Sequence, residues 1–300
     1  MRPIIIAGFG RSGTTWLSDI VSKTLGGLIL FEPDHPSVFS DSVNSVYQSS
    51  LDDTMLDNLW KSLRSKSERN SWLLRNHLLS DGPHSPEFVK AIWYNSEIIG
   101  FKSIRWNHTL PTLINLSGKR FIYIIRHPLA VIASLLRRPR FFEEYGWQNH
   151  WELFKQRNPL NEIDLEQYND SEKSIKYAVM WSISNIKALS DIQNHNLPFW
   201  SYEELYQDPY NTSQKILAHI GYYDICIHPS YLFYPSMSTL NTIHAYDNKW
   251  DNLKKGDLSF FWKDVLDRRT TKEILFKIQN IFSQFPNSEQ VLYNLNYLND

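Results

Sequence analysis

The chain has 300 residues, 42% of them hydrophobic and 21% charged, enough for one large α/β domain with a sizeable core. Lys and Arg number 31 against 32 Asp and Glu, a formal charge of -1, so no global basic field directs the protein to nucleic acid and any anion must be met by a local site. A single cysteine, Cys226, excludes an intrachain disulfide framework and a multi-cysteine metal site, and it fits a reducing compartment.

Residues 4–7 form a short apolar run rich in β-branched side chains, the mark of a strand buried on both faces. The run is too short for a signal-peptide core, and nothing in the chain approaches the roughly 18 apolar residues of a membrane span. The expectation is a soluble, cytoplasmic protein without a membrane span. Residues 14–25 place Trp16, Leu17, Ile20, Val21 and Leu25 on one helical stripe, which Gly26 and Gly27 stop. A second strand is predicted at 28–31. From 51 to about 95 the chain reads as helix in pieces, with Leu51, Met55, Leu59 and Leu63 at four-residue spacing. Strands are predicted at 98–104 and 119–126, then a helix opened by Pro128, a residue tolerated at a first helical position. Residues 139–170 are polar and aromatic without clear period and read as an insertion or lid. A helix over 171–194, a strand over 197–202 and a helix over 213–221 follow. The C-terminal part, 222–300, is expected to be helical, ending with Ile274, Ile278, Ile281 and Phe285 on one face. Strands separated by helices imply right-handed βαβ units and a parallel sheet. Without a linker or internal repeat, residues 1–300 read as a single domain.

Only 11 glycines serve 300 residues, yet Gly8, Gly10 and Gly13 fall within six positions, between the first strand and the first helix. Glycines there let backbone N–H groups turn inward around an anion, and the helix N-terminus adds partial positive charge. Ser12, Thr14 and Thr15 add hydroxyls. The nucleoside-triphosphatase pattern GxxxxGK[ST] needs a lysine where Thr14 stands. Here the basic residue, Arg11, lies inside the loop, and the strand ending at 126 carries Arg126 instead of a magnesium-binding aspartate. That pattern suits an anion bound without metal. A dinucleotide loop remains open on GxGxxG alone, with Glu32 or Asp34 as its acid.

Arg126 ends a strand and Ser134 lies on the following helix, placed to face back toward the C-terminal edge of the sheet. Together these segments resemble sulfotransferases that use 3′-phosphoadenosine 5′-phosphosulfate (PAPS). GRSGTTWL resembles the family's 5′-phosphosulfate loop in its arginine-containing carbohydrate and tyrosylprotein form, and FIYIIRHPLAVIAS resembles its 3′-phosphate motif. SYEELYQDP resembles a later segment of the family that lies near the adenine. The resemblance implies a three-layer α/β, P-loop-like fold with a central parallel sheet flanked by helices. It implies a metal-independent enzyme that moves a sulfuryl group from PAPS to a hydroxyl of a carbohydrate or other small-molecule acceptor, releasing adenosine 3′,5′-bisphosphate (PAP). Gly10, Arg11, Ser12, Gly13, Thr14, Thr15, Trp16, Arg126, Ser134 and Tyr202 are the implied nucleotide-binding residues.

The catalytic residues read this way are Glu32, Arg11 and Lys102. Cytosolic members carry K-T-H where this chain has Lys102-Ser103-Ile104, so the lysine is kept and the histidine base is absent. A glutamate after the second strand, here Glu32, is the expected base; as a bare sequence feature it reads equally as a loop acid or helix cap. His35 and His108 are the alternatives. The C-terminal RKGxxGDWK of the family is missing, with KKGD at 254–257 and arginines at 268 and 269 as poor substitutes. Trp16 and Trp181 lie on helix faces and read as core, while Trp93, Trp106, Trp147 and Trp151 are candidates for an acceptor pocket. The competing readings are a P-loop nucleoside kinase and a nucleotide-binding module without turnover. Acceptor identity and oligomeric state are not legible.

Overall fold

The computed structural model describes residues 1–35, 38, 47, 51–66, 71–74, 86–137, 147–233 and 261–297. The apolar run forms β1 (Ile4–Ala7), buried throughout. With β2 (Leu28–Phe31), β3 (Ile98–Ser103), β4 (Phe121–Ile125) and β5 (Trp200–Ser201) it makes a five-stranded sheet of order β2-β3-β1-β4-β5. Every pairing is parallel. The expected α/β architecture with a central parallel sheet is therefore the observed one.

Alternation along β1 divides the core. Ile4 and Ile6 pack with Ile29, Ile99, Ile122 and Ile124 beneath α1 (Thr14–Leu25), which contributes Leu17, Ile20 and Val21. Ile5 and Ala7 face the other way, toward Phe101, Phe121, Tyr123 and Ile125. Each fully buried isoleucine contributes on the order of 2 kcal/mol, so β1 is held from both faces. Gly100 stands opposite Ile4, and a Cβ there would come within 2.0 Å of the Ile4 carbonyl oxygen; no larger residue fits this register.

Helices α2 (Asp53–Ser65) and α3 (Pro86–Asn95) connect β2 to β3, and α4 (Leu110–Ser117) connects β3 to β4. Between β4 and β5 lie α5 (Pro128–Leu136), α6 (Trp147–Gln156) and α7 (Lys173–Asn194). The chain continues through α8 (Tyr202–Gln207), α9 (Pro209–His219), α10 (Pro229–Phe233), α11 (Arg268–Phe282) and α12 (Pro286–Asn294). Among the described residues no helix is long and apolar enough to cross a membrane.

Two predicted stretches differ. Within 139–170, residues 139–146 lie outside the described residues, but 147–156 is helix, with His150, Trp151 and Phe154 buried. A run dominated by polar residues hid that short apolar face. The strand expected over 197–202 shrinks to Trp200–Ser201 because Ser201 and Glu204 form a capping box that starts α8 at Tyr202. That S-x-x-E signal is present in the sequence and outweighs the β-propensity of the aromatic residues.

Candidate active site

Parallel strands direct all their C-terminal ends to one edge, and each loop leaving that edge carries a candidate residue. The Gly8–Gly13 loop follows β1, Glu32 follows β2, Arg126 follows β4 and Tyr202 follows β5. Lys102 is the penultimate residue of β3 and points to the α1 side, in register with Ile6 and Phe31.

The first group forms around the glycine loop. Gly13 holds φ 91, and a Cβ at this position would lie 2.4 Å from Cδ2 of Tyr202. Both the turn and the ring exclude any other residue. Helix α1 then starts at Thr14 with no side chain capping its N-terminus, leaving its first N–H groups to an external acceptor. Ser12 is fully buried and its Oγ has no hydrogen-bond partner among the described residues. Thr14 and Thr15 are also buried. Arg11 donates from Nε to Ser134 Oγ at 2.8 Å, and Arg126 donates from Nη1 to the Arg11 carbonyl at 3.2 Å. The Arg126 guanidinium lies 4.0 Å from the centroid of the Tyr202 ring. Trp16 lies 5.8 Å from Tyr202, ring to ring; it is half-buried and packs against the α1-side core, as its helical stripe implied, while also lining this group. Arg11, Gly13, Trp16, Arg126, Ser134 and Tyr202, far apart in the sequence, thus form one contiguous surface.

The second group is a buried ion cluster. Glu32 accepts from Lys102 Nζ at Oε1 and from Arg105 Nη1 at Oε2, both at 2.6 Å. Burial alone would raise the Glu32 carboxyl, but the Lys102 and Arg105 charges outweigh it and hold the group down at about 2. Lys102 is itself pushed down by burial against the pull of Glu32, so the carboxylate, with two cations, is the member whose charge is secured. Asp34 Oδ2 accepts from Ser103 Oγ and from the backbone N–H groups of Ile104 and Arg105 at 2.7–3.0 Å, pinning the turn after β3. Asp34 is fully buried, with Oδ1 3.8 Å from Arg105 Nη1. Asp19 on α1 is lifted by burial to about 7, against the charges of Lys23 and Lys102, and so is a weak counter-charge for Lys102 at neutral pH. Asn107 Nδ2 donates to the Gly8 carbonyl at 3.2 Å and ties the turn after β3 to the glycine loop.

The histidines divide. His35 is buried, and its N–H closes a turn onto the Glu32 carbonyl at 2.9 Å. His108 has both ring nitrogens engaged, with the Tyr47 carbonyl and with Ser184 Oγ, each at 3.1 Å. Burial pushes it down to about 4. Its place is structural. Trp93, Trp106, Trp151 and Trp181 are all buried, Trp93 donating to the Lys66 carbonyl and Trp151 to Asn169. The Trp147 side chain and residues 254–257 lie outside the described residues, while Arg268 and Arg269 are exposed at the start of α11. Arg105, Asn107 and Glu203, which meets the His127 N–H, join the candidate site in the structure and were missed by sequence reasoning. For Arg105 the available signal was a basic residue three positions beyond Lys102, just past a strand end.

The family profile described as sulfotransferase domain matches residues 1–286. The chain belongs to this family. The resemblance read from the loop after β1 and the segment through Arg126 and Ser134 is therefore correct at family level. A sulfotransferase domain from the curacin biosynthetic pathway is 15% identical, with a TM-score of 0.45 over 95% of this chain and 98% of that chain. The sulfotransferase domain of the Synechococcus PCC 7002 olefin synthase is 16% identical, with a TM-score of 0.39 over 91% of this chain and 92% of that one. Retinol dehydratase in complex with retinol and PAP is 14% identical, with a TM-score of 0.45 over 94% of this chain and 82% of that one. No curated protein sequence matches.

The ion cluster makes a pH-dependent prediction. Because the folded-state pKa of Glu32 is about 2 and its ordinary value is 4.5, its ionisation stabilises the fold above pH 4.5, and that contribution is lost as pH falls toward 2. Glu32→Gln is expected to lower the unfolding free energy by about 3 kcal/mol at neutral pH. In urea titrations the deficit should shrink between pH 4.5 and 2; a deficit independent of pH contradicts the assignment.

Proposed function

We propose that this sulfotransferase moves a sulfuryl group from PAPS to a hydroxyl of a saccharide or other small-molecule acceptor. The observation that carries the reading is the meeting of Arg11, Arg126, Ser134 and Tyr202 beside an uncapped helix N-terminus. These groups fit the donor. The unpartnered buried Ser12 hydroxyl, the N–H groups of the loop from Gly10 to Gly13, and Thr14 and Thr15 offer donors to a 5′-phosphosulfate. Arg126 and Ser134 offer a guanidinium and a hydroxyl to a 3′-phosphate, with Arg11 bridging the two ends of the nucleotide. Trp16 and Tyr202 present rings to adenine.

When bound, PAPS supplies an activated sulfuryl group on a phosphate leaving group. Arg11 and the loop N–H groups stabilise charge that builds on the departing phosphate oxygen. Lys102, drawn from Glu32 toward the transferring group, adds a cation there and frees Glu32 Oε1. Arg105 keeps hold of Oε2, so the carboxylate stays oriented. Loss of one of its two cations strengthens Glu32 as a base, and Oε1 takes the acceptor proton. The acceptor oxygen forms its bond to sulfur as the sulfur–phosphate oxygen bond breaks, the electron pair leaving with PAP.

Thermal unfolding tests the nucleotide reading. PAP at about 100 times its Kd should stabilise the protein by about 2.7 kcal/mol, whereas Mg²⁺·ATP should give little shift. A preference for Mg²⁺·ATP overturns the reading in favour of a kinase. The base is tested once an acceptor is found by a PAPS-dependent mass-shift screen of sugars, lipids and phenols. Folded Glu32→Gln should retain PAP binding and lose turnover by about 100-fold or more, and near-normal turnover rejects Glu32 as the base.

A further inference from the structure

We infer that Tyr297, close to the C-terminus, is a positioning residue for the 3′-phosphate site, acting through Glu203 and His127. The inference rests on the nucleotide reading above and assigns the C-terminal part of the chain a role within it.

Tyr297 lies just beyond α12 and is 1% exposed. Its hydroxyl donates to Glu203 Oε2. The other oxygen of the same carboxylate, Oε1, accepts the backbone N–H of His127 at 3.1 Å. Glu203 directly follows Tyr202, and His127 directly follows Arg126. One carboxylate therefore bridges the junction between β4 and α5 to the junction between β5 and α8. These are the two junctions that present Arg126 and Tyr202 to the nucleotide.

The aromatic surroundings tighten the same bridge. The His127 ring stacks on Trp262 with centroids 5.8 Å apart and planes 2° from parallel. It meets Tyr297 edge-on at 4.9 Å. His127 Nδ1 also accepts the Leu129 N–H at 3.2 Å, capping the helix that carries Ser134. A histidine held on these sides fixes the backbone from which Arg126 projects. The Tyr297 hydroxyl stops the Glu203 carboxylate from rotating away from the His127 N–H. Removing one oxygen atom from Tyr297 keeps the ring packing and releases that rotation. Arg126 then loses orientation more than the glycine loop does, because the loop is tied separately to Asn107. A bidentate cation loses affinity for phosphate steeply with misalignment.

The test compares PAP with adenosine 5′-monophosphate (AMP), which lacks the 3′-phosphate, by titration calorimetry on the full-length wild type and on Tyr297→Phe. The expected result is a roughly fivefold to tenfold rise in Kd for PAP, the effect of one lost positioning hydrogen bond, with the Kd for AMP changed less than about twofold. A purely structural Tyr297 would lower thermal stability and leave the PAP-to-AMP affinity ratio unchanged; that result overturns the inference. Glu203→Ala, at a half-buried position, carries the same expectation and decides the question if Tyr297→Phe does not fold. Wild-type protein that binds AMP as tightly as PAP overturns the 3′-phosphate reading itself, and this inference with it.

Discussion

Arg11 takes a left-handed backbone conformation, φ 73, in the middle of the glycine loop, although a residue with a Cβ is disfavoured there by on the order of 1 kcal/mol. Two long-range hydrogen bonds hold it. Its carbonyl receives Arg126, 115 residues away, and its Nε donates to Ser134, 123 residues away. The turn at Arg11 aims the guanidinium along the loop toward α5. That local distortion joins the loop after β1 to the loop after β4, and the nucleotide reading depends on the join. It is possible only because β1 and β4 are adjacent and parallel, with Ala7 opposite Tyr123. Gly13 completes the turn, with its missing Cβ giving room to the Tyr202 ring.

A second constraint operates on the other side of β1. Lys102 and Arg105 are buried cations, and burying either without a counter-charge would cost several kcal/mol. Glu32 compensates both at once, which is why it stays ionised despite its own burial. A carboxylate held by two cations is well placed but weakly basic. In the proposed mechanism the resting cluster is a stored base whose strength depends on where Lys102 sits. Under that proposal one lysine couples the two steps, and proton abstraction gains strength only when an anionic donor draws that lysine away.

Much of this was legible in the sequence because it depends on local rules. A four-residue apolar run rich in β-branched side chains ahead of clustered glycines signals strand, loop and helix, and the lysine missing from the nucleoside-triphosphatase pattern distinguishes the loop. Arg126 and Ser134 follow the same logic on a later strand and helix. The parts that were not legible depend on tertiary placement. Nothing local to Arg105 says that its guanidinium reaches back 73 positions to Glu32, or that Tyr297 closes on Glu203 94 positions earlier. Likewise, His108 has the sequence profile of a candidate base, and only its two hydrogen-bond partners reveal a structural residue. The capping box at Ser201 and Glu204 is a local signal too, masked by the strand-favouring aromatic residues beside it.

In the proposed binding mode, one edge of the sheet holds both phosphates of a 3′,5′-bisphosphate nucleotide. A crystal structure of the protein with PAP measures this directly. The 5′-phosphate is expected on the N–H groups of residues 10–15 and the 3′-phosphate within hydrogen-bond distance of Arg126 and Ser134. A nucleotide bound with its 3′-phosphate away from that pair, or with the glycine loop unoccupied, would contradict it.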